Sequence, residues 1–438
     1  MLTVNLLDLG YGIVGAATAP LWARKARGGW RERFGHTPEL GFPNTERPRV
    51  LLHGVSVGEV SALRSLVPLL TKSFDVVITS TTDTGMERAR QLFADSWGVV
   101  SIVRYPLDFS KSVERFLDAV RPDAVALTEL ELWPHFVGGC RERGIPIGVI
   151  NGRLSERSFK GYHRFRRVLR PMFADLTFAA VQNADYAHRF EAMGTPAERV
   201  VVAGSMKWDN SVGSADAARG AAIVRSMGLD PEALLVVAGS TGPTEEAIVH
   251  EAWKLAGGAN EAQLIVAPRR PERFDEAARY LPGCVRRSEH RDVAAHGNDA
   301  RVGLLDSIGE LSDVYARATV VVVGRSFGDL YGSDPAEPIG LGKATIIGPS
   351  VSDFAEMVRS FERCDGIVRA TRETLGAELR SLLEDSERRA SVASAGLRCV
   401  EAERGASERH AALVHGMVNG TTPRMIASGE WRDGGGLR

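Results

Sequence analysis

Cysteine is scarce and scattered: the chain has four, Cys140, Cys284, Cys364 and Cys399, far apart and in no CxxC pair. This excludes a disulfide framework and a cysteine zinc site, and fits a reducing compartment. The ten histidines form no HExxH pattern and no His/Cys cluster, so no metal is expected. An excess of one charge is also lacking. Lys and Arg number 54 against 55 Asp and Glu, a net charge of −1. So neutral a chain is not a general nucleic-acid binder, and an anionic partner has to be met by local patches. No long apolar run is present either. Residues 1–23 are mostly apolar but interrupted by Asn5, Asp8 and Pro20, whereas a spanning helix needs about 20 predominantly apolar residues. Arg24, Lys25, Arg27, Arg31 and Arg33 follow directly. A signal peptide carries its charge before the apolar run. Residues 1–34 therefore read as a membrane-associated segment, anchored or shallowly inserted, with its basic end in the cytoplasm near anionic headgroups. The other reading is a soluble N-terminal helix.

What is present is an ordinary globular composition, 44% hydrophobic and 25% charged over 438 residues, enough for two domains or one large one. From residue 49 strand and helix patterns alternate, the mark of parallel sheets covered by helices on both faces. Strands are expected at Val50–His53, Val76–Ser80, Ser101–Tyr105, Ala124–Thr128, Ile147–Ile150 and Phe178–Val181. The pattern restarts with Leu234–Ala238, Leu264–Ala267, Val302–Leu305, Val320–Val323, Thr345–Ile347 and Ile367–Arg369. Between the halves the small, polar stretch Asp209–Ala222 reads as a linker. The fold class is α/β: two doubly wound Rossmann-like lobes facing a cleft, with ligands beyond the carboxyl ends of the strands. Leu375–Val418 reads as two long helices, and 419–438, rich in glycine and charge, as a loose tail.

The chain is organised around Val50–Leu70. A short buried strand leads to a turn containing Gly54 and Gly58, then to a helix with apolar Val60, Leu63, Val67 and Leu70. Glu59 sits where that helix begins. It either favours the helix dipole, worth a few tenths of a kcal/mol, or carries chemistry. Gly54-Val55-Ser56-Val57-Gly58 also fits the G-x-S-x-G nucleophile elbow, but no HGGG-type loop precedes it.

The other strand ends are equally polar. Thr81-Thr82-Asp83-Thr84-Gly85 binds a phosphate or sugar, or caps the next helix. Glu129-Leu130-Glu131-Leu132-Trp133-Pro134 suits hydrogen bonds to a sugar, or a capped helix with a packed indole. Arg164 and Arg167, with Lys160 or Arg170, share one helical face. With the basic N-terminal run they make a positive patch, either a solvated face or a dock for an acidic lipid headgroup. Lys207 closes the first lobe. In the second, Gly239-Ser240-Thr241-Gly242 opens a helix at Thr244-Glu245-Glu246, a plausible anion-binding turn. Pro268-Arg269-Arg270-Pro271-Glu272-Arg273 follows the second strand, where arginine suits bidentate pairing with phosphate, and Glu337 suits ribose hydroxyls. Together these strand ends point to a nucleotide.

The motifs HGVSVGEV (53–60), TSTTDTG (79–85), TELELWPH (128–135), NGRLSERS (151–158), GSMKWD (204–209), PRRPERF (268–274), LLDSIGEL (304–311) and GSDPAEP (332–338) stand in an order that resembles the 3-deoxy-D-manno-octulosonic acid (Kdo) transferases of lipid A biosynthesis. The resemblance runs to about residue 400 and implies the GT-B glycosyltransferase fold. It implies an acceptor-binding domain at 35–210 and a CMP-binding domain at 220–418. It implies metal-independent transfer of Kdo from CMP-Kdo, with inversion, to a lipid A precursor (lipid IVA) on the cytoplasmic side of the inner membrane. No cofactor is implied beyond CMP-Kdo as donor. Glu59 would be the general base, with Glu129 and Lys207 positioning or stabilising the transition state. Pro268 and Arg269, then Ile308, Gly309 and Glu310, then Asp334, Pro335, Ala336 and Glu337, would bind CMP.

This chain departs from the family pattern in the nucleotide lobe. Arg270 stands where histidine is usual, Tyr331-Gly332-Ser333-Asp334 replaces GGHN, Ser240–Glu246 replaces STHEGEE, and Pro349-Ser350 replaces a Pro-His pair. Two alternatives follow: a GT-B transferase using another nucleotide-activated acidic sugar, or a catalytically inactive, membrane-associated nucleotide-binding protein.

Overall fold

A computed structural model describes residues 7–13, 28–38, 40, 47–96, 99–210, 215–289 and 301–420. The described residues up to Asn210, joined by those from Arg404 onward, form one compact unit, and the residues between them form another.

The first lobe holds seven parallel strands: β1 (Arg49–His53), β2 (Asp75–Ser80), β3 (Val100–Arg104), β4 (Ala124–Thr128), β5 (Ile147–Gly152), β6 (Phe178–Val181) and β7 (Val200–Val202). Their order is β3-β2-β1-β4-β5-β6-β7. Strands buried on both faces read as continuous apolar runs, and every residue of β1 is buried. Alternation then divides them. Val50 and Leu52 pack with Val76, Ile78 and Ala126 on one face, and Leu51 packs with Val77, Val125 and Val149 on the other. The chain builds outward from β1 to β3, then returns to lay β4 on the open side of β1. The topological switch point of this lobe lies between β1 and β4.

The second lobe repeats the plan with β8 (Leu235–Thr241), β9 (Gln263–Pro268), β10 (Val285–Arg286), β11 (Val302–Leu304), β12 (Val320–Val323), β13 (Ala344–Ile347) and β14 (Val368–Arg369). The order is β10-β11-β9-β8-β12-β13-β14, and the switch point falls between β8 and β12.

Several sequence expectations are corrected. Strands β7 and β10 were not expected, being only three and two residues long with half-exposed side chains that weaken the apolar signal. The helix expected through Leu70 breaks into Val57–Ala62 and Val67–Leu70, because Pro68 has no N–H to continue the ladder. The expected linker is partly helical. Asp216 caps Ala217–Ser226, and Gly220 lies so close to the Asp313 carbonyl that a Cβ would sit 2.0 Å from it. Residues 211–214 lie outside the described set.

The C-terminal stretch is three helices, Leu375–Glu384, Ser386–Glu403 and Ala406–Val418. The last belongs to the first lobe and not to the 220–418 domain. It buries Ala406, Leu413, Val414 and Met417 in that core. Asp209 accepts the Gly405 and Ser407 N–H groups at 2.8 and 2.6 Å. Most of the apolar N-terminal run, residues 1–6 and 14–27, lies outside the described residues, as do 421–438. Within it Tyr11 donates to Asp108 at 3.0 Å and Asp8 accepts the Ser110 N–H at 3.0 Å. Among the described residues no helix is long and apolar enough to cross a membrane. Arg33, counted with the basic run, is buried and donates to the Gly28 and Thr81 carbonyls. It does not face outward.

Candidate active site

In the first lobe the polar groups collect at the carboxyl ends of β1 and β4. Ser56 caps the helix Val57–Ala62 and Glu59 reaches back to it, a capping box. Glu59 Oε2 accepts the Val55 N–H at 2.9 Å and Oε1 accepts the Ser56 hydroxyl at 2.8 Å. Ser56 is thereby occupied as a cap and not as a nucleophile. The hydroxyls of Ser80 and Thr82 both donate to the Val55 carbonyl, at 2.9 and 2.6 Å, while Thr82 also caps its own helix. The hydroxyl run thus caps a helix and fixes the Glu59 turn. Neither Gly54 nor Gly58 has positive φ. Gly54 is needed for close approach, since a Cβ there would lie 3.3 Å from that of Glu59.

Across the switch point, Glu129 leaves β4 with φ 59°, a left-handed conformation that costs a non-glycine residue about 1 kcal/mol or more. Burial raises the pKa of Glu131. The indole of Trp133, donating at 3.0 Å, opposes this, and the charges of Glu59 and Glu129 raise it further. Glu59, Glu129 and Glu131 thus stand at the ends of β1 and β4 on either side of the switch point, with the charges of the first two bearing on the third. Glu131 and Trp133 supplement the residues chosen from sequence. Lys207 begins a short helix after β7, on the same carboxyl edge. It is placed through Met206, whose N–H donates to Asn151 Oδ1 at 3.2 Å. Asn151, the next-to-last residue of β5, also has positive φ, 51°.

Two buried histidines brace this lobe. Thr79 spends its hydroxyl proton on the Leu52 carbonyl, so its oxygen accepts from His53 Nδ1 at 2.9 Å. His410 donates to the Gly204 carbonyl. Burial pulls His53 down to about 3 and His410 to about 4, from an ordinary 6.5. For His410 the Gly204 bond and Asp209 oppose the shift and Arg409 adds to it. Unfolded, both rings titrate near 6.5, so below that the unfolded chain holds more protons. Their contribution to stability is complete above pH 6.5 and lost as pH falls toward the folded values. His410→Gln, which keeps a donor for Gly204, is expected to reduce the pH slope of the urea midpoint between about pH 7 and 5 by about one proton. An unchanged slope would mean that His410 is not an acid-sensitive brace.

In the second lobe the expected nucleotide residues also line the carboxyl edge. Pro268 ends β9 and Arg269 follows it. Asp334 Oδ1 accepts the Ala336 N–H at 2.9 Å and so starts the helix Ala336–Gly340, with Pro335 before it and Glu337 in its first turn. The charges of these groups bear on the buried phenol of Tyr315. Burial first, then the charges of Glu337 and Asp334, hold its phenol well above the ordinary value, and Arg269 opposes them. Tyr315 fits because residue 239 is glycine, where a Cβ would sit 1.7 Å from its hydroxyl oxygen. Sequence reasoning missed Tyr315, which looks like one more apolar position of a helix. In the segment Ile308–Glu310, Ile308 is exposed and Gly309 has φ 84°. Burial would raise the Glu310 carboxyl, but hydrogen bonds from Arg287 and Ser307 hold it below its ordinary value.

At the β8–β12 switch point opens a cavity of about 470 Å³ lined by Thr241, Gly242, Pro243, Arg269, Arg270, Arg273, Arg325 and Leu330. Two buried glutamates frame it. Glu245 accepts N–H groups from Gly242, Arg325 and Phe327, joining the β8 turn to the loop after β12. Glu246 accepts the Thr241 hydroxyl at 2.7 Å and two bonds from Arg273 at 2.9 and 3.1 Å. Thr241 lies in the turn expected from sequence to bind an anion and Arg273 in the stretch expected to pair with phosphate, whereas Arg325 was not singled out. Among the described residues no group of three or more His, Cys, Asp or Glu side chains is placed to hold a metal ion.

Two doubly wound parallel sheets, each with its polar groups at its own switch point, define an α/β protein of the GT-B class. Solved structures agree at the level of fold. A UDP-N-acetylglucosamine 2-epimerase superposes with TM-score 0.56 at 13% identity, covering 90% of this chain and 100% of that one. The UDP-GlcNAc 2-epimerase of Neisseria meningitidis gives 0.52 at 12%, covering 81% and 98%. In sequence, the family model described as 3-Deoxy-D-manno-octulosonic-acid transferase (kdotransferase) matches residues 28–210. The 3-deoxy-D-manno-octulosonic acid transferase of Bordetella pertussis is 30% identical over 402 residues, 88% of this chain and 92% of that protein. The Haemophilus influenzae enzyme of the same name is 28% identical, covering 86% and 88%. The chain belongs to the 3-deoxy-D-manno-octulosonic acid transferase family of glycosyltransferases.

Proposed function

We propose that this enzyme transfers Kdo from CMP-Kdo to a hydroxyl of a lipid A precursor, lipid IVA, with inversion at the sugar and without a metal ion. The observation that carries this reading is Glu59, fixed by Val55 and Ser56 at the carboxyl end of β1 beside the switch point, with Glu129 and Glu131 following β4, in a chain of this family. Glu59 takes the acceptor proton as general base. It is fixed by its capping box, and a fixed base needs no reorganisation when the hydroxyl arrives. Glu129 and Lys207 position the reacting groups on the same edge. In the second lobe Arg269 neutralises the phosphate of the leaving CMP as its bond to the sugar breaks. Asp334 and Glu337, beside Tyr315, supply acceptors for the ribose. Pro268, Pro335 and Ala336 shape that wall, and Ile308, Gly309 and Glu310 supply its adjoining loop. The test is a transfer assay with detergent-purified protein, CMP-Kdo generated in situ and tetraacylated lipid A precursor, read by mass spectrometry. One or more Kdo mass increments on the lipid are expected; none, despite CMP binding, would overturn the acceptor assignment.

The acceptor is a lipid, and we place the enzyme at the cytoplasmic face of the inner membrane. Support comes from the helices Glu156–Arg164 and Arg166–Ala174. Phe165 and Val168 are 66% and 76% exposed, with Tyr162 exposed nearby. Around them Arg157, Arg164, Arg166, Arg167 and Arg170 are also exposed, while Lys160 pairs with Glu156 at 2.6 Å. Apolar side chains ringed by arginine suit insertion among anionic headgroups. Phe165→Ser with Val168→Ser is expected to lower flotation on phosphatidylethanolamine–phosphatidylglycerol vesicles about tenfold. Equal flotation of variant and wild type would rule this face out.

A further inference from the structure

The cavity at the β8–β12 switch point carries more positive charge than its own structure uses. Arg273 is committed to Glu246 and Glu276. Arg270 has only a loose pairing with Glu272, at 3.7 Å with both side chains largely exposed. Among the described residues the ion pairs at this cavity are those of Arg270 and Arg273, and none involves the guanidinium group of Arg269 or Arg325. The two buried glutamates of the frame are spent on backbone N–H groups, on Thr241 and on Arg273. Arg269, Arg270 and Arg325, from the ends of two different strands, therefore line one opening, and the loose Arg270–Glu272 contact is the only ion pair any of the three makes among the described residues.

The backbone of Arg325 is a second, independent observation. It has φ 58°, where glycine would sit without strain and arginine costs about 1 kcal/mol or more. Its N–H donates to Glu245 and its carbonyl accepts the Gly332 N–H at 2.8 Å, so the conformation is held from both sides. A long cation is thus kept at a position whose backbone favours glycine, on the wall of a cavity of ligand size. The departures from the family pattern fall here as well. Gly242, Pro243 and Arg270 line the cavity, and Ser333 donates to the Ser240 carbonyl at 3.5 Å.

We propose that Arg325 and Arg270, set beside Arg269, form an oxyanion subsite in the second lobe that takes an anionic group of the sugar donor. This deepens the Kdo reading and rests on it. That donor carries two oxyanions, the phosphate diester and the sugar carboxylate, and planar guanidinium groups suit either by paired N–H bonds. Arg270 and Arg325 are then binding residues that set donor affinity.

The test uses the full chain in detergent with Arg325→Gly, Arg325→Lys and Arg270→Gln. Glycine at 325 accepts the observed φ, so this variant is expected to fold with an undiminished thermal midpoint. CMP and cytidine are titrated by calorimetry, and KM and kcat for CMP-Kdo are read in the transfer assay. If the anion is the phosphate, Arg325→Gly and Arg270→Gln weaken CMP roughly ten- to hundredfold and leave cytidine unchanged. If it is the carboxylate, CMP affinity is unchanged and KM for CMP-Kdo rises by a similar factor with little change in kcat. Either result supports the subsite, and Arg325→Lys should fall between wild type and Arg325→Gly. Wild-type CMP affinity and KM in both charge-removing variants would overturn it and leave the Kdo reading standing. A wild-type chain that binds no CMP would overturn that reading and the subsite together.

Discussion

Glu59→Gln is expected to lower Kdo transfer by roughly 10²–10⁴-fold while leaving the first lobe nearly as stable as before. The two halves of this result separate the two roles of one carboxylate. In the structure Glu59 is a capping residue, with both oxygens bonded to Val55 and Ser56. Glutamine at this place preserves the cap. Its carbonyl accepts the Val55 N–H and its amide donates to Ser56 Oγ, but it takes no proton from a hydroxyl. Glu59→Ala removes both roles, so it should lose transfer to the same extent and in addition about 1 kcal/mol of stability. Transfer assays and urea titrations on the two variants decide the matter. If Glu59→Gln transfers Kdo at more than about a tenth of the wild-type rate, the residue is only a cap and the base lies elsewhere, with Glu131 the next carboxylate to replace.

Arg273→Met is expected to destabilise the second lobe by about 3–5 kcal/mol. Glu246 is completely buried, and its charge is met by two bonds from Arg273 and one from Thr241. Methionine fills much of the arginine stem's space but leaves a carboxylate inside the protein with a single hydroxyl donor. Removing both charges is far milder, because no charge is then left uncompensated. Arg273→Met with Glu246→Leu should recover most of the loss, short of about 1 kcal/mol for the abandoned Thr241 hydroxyl. Amide hydrogen exchange along β8 and β9 reads this lobe separately from the other. Protection in Arg273→Met equal to wild type would mean that the pair does not brace the cavity. Thr241 lines that cavity, so CMP affinity should fall with the protection.

Much of the architecture was legible because buried parallel strands leave a plain trace. Val320–Val323 and Ala124–Thr128 are apolar runs bounded by polar strand ends, and both strands appear with the expected limits. Strand β7, half-exposed at the sheet edge, leaves almost none. Individual site residues were legible where the motif has local logic. Glu59 follows Ser56 by three residues, and Asp334 accepts the N–H of Ala336 two residues on, at a helix start. The roles of Tyr315, Arg273 and Arg325 were not, since they depend on Gly239, Glu246 and Glu245, each tens of residues away. The final helix failed for a related reason. An apolar stripe requires burial but does not name the sheet that will bury it, and here Asp209 and the first-lobe core receive it.

By itself the sequence determined what neighbours along the chain can settle: the alternation of strand and helix, the Ser56–Glu59 capping box and the polar residues at each strand end. Those features rest on backbone hydrogen bonds and side-chain periods that span only a few residues. Only the tertiary structure decided the order of the strands, and with it the two switch points. It alone set Glu59 across the switch point from Glu129 and Glu131, gave the last helix to the first lobe, and collected Arg269, Arg270 and Arg325 around one cavity. These outcomes depend on contacts between distant segments, which form only when each strand has found its neighbour and buried its two faces.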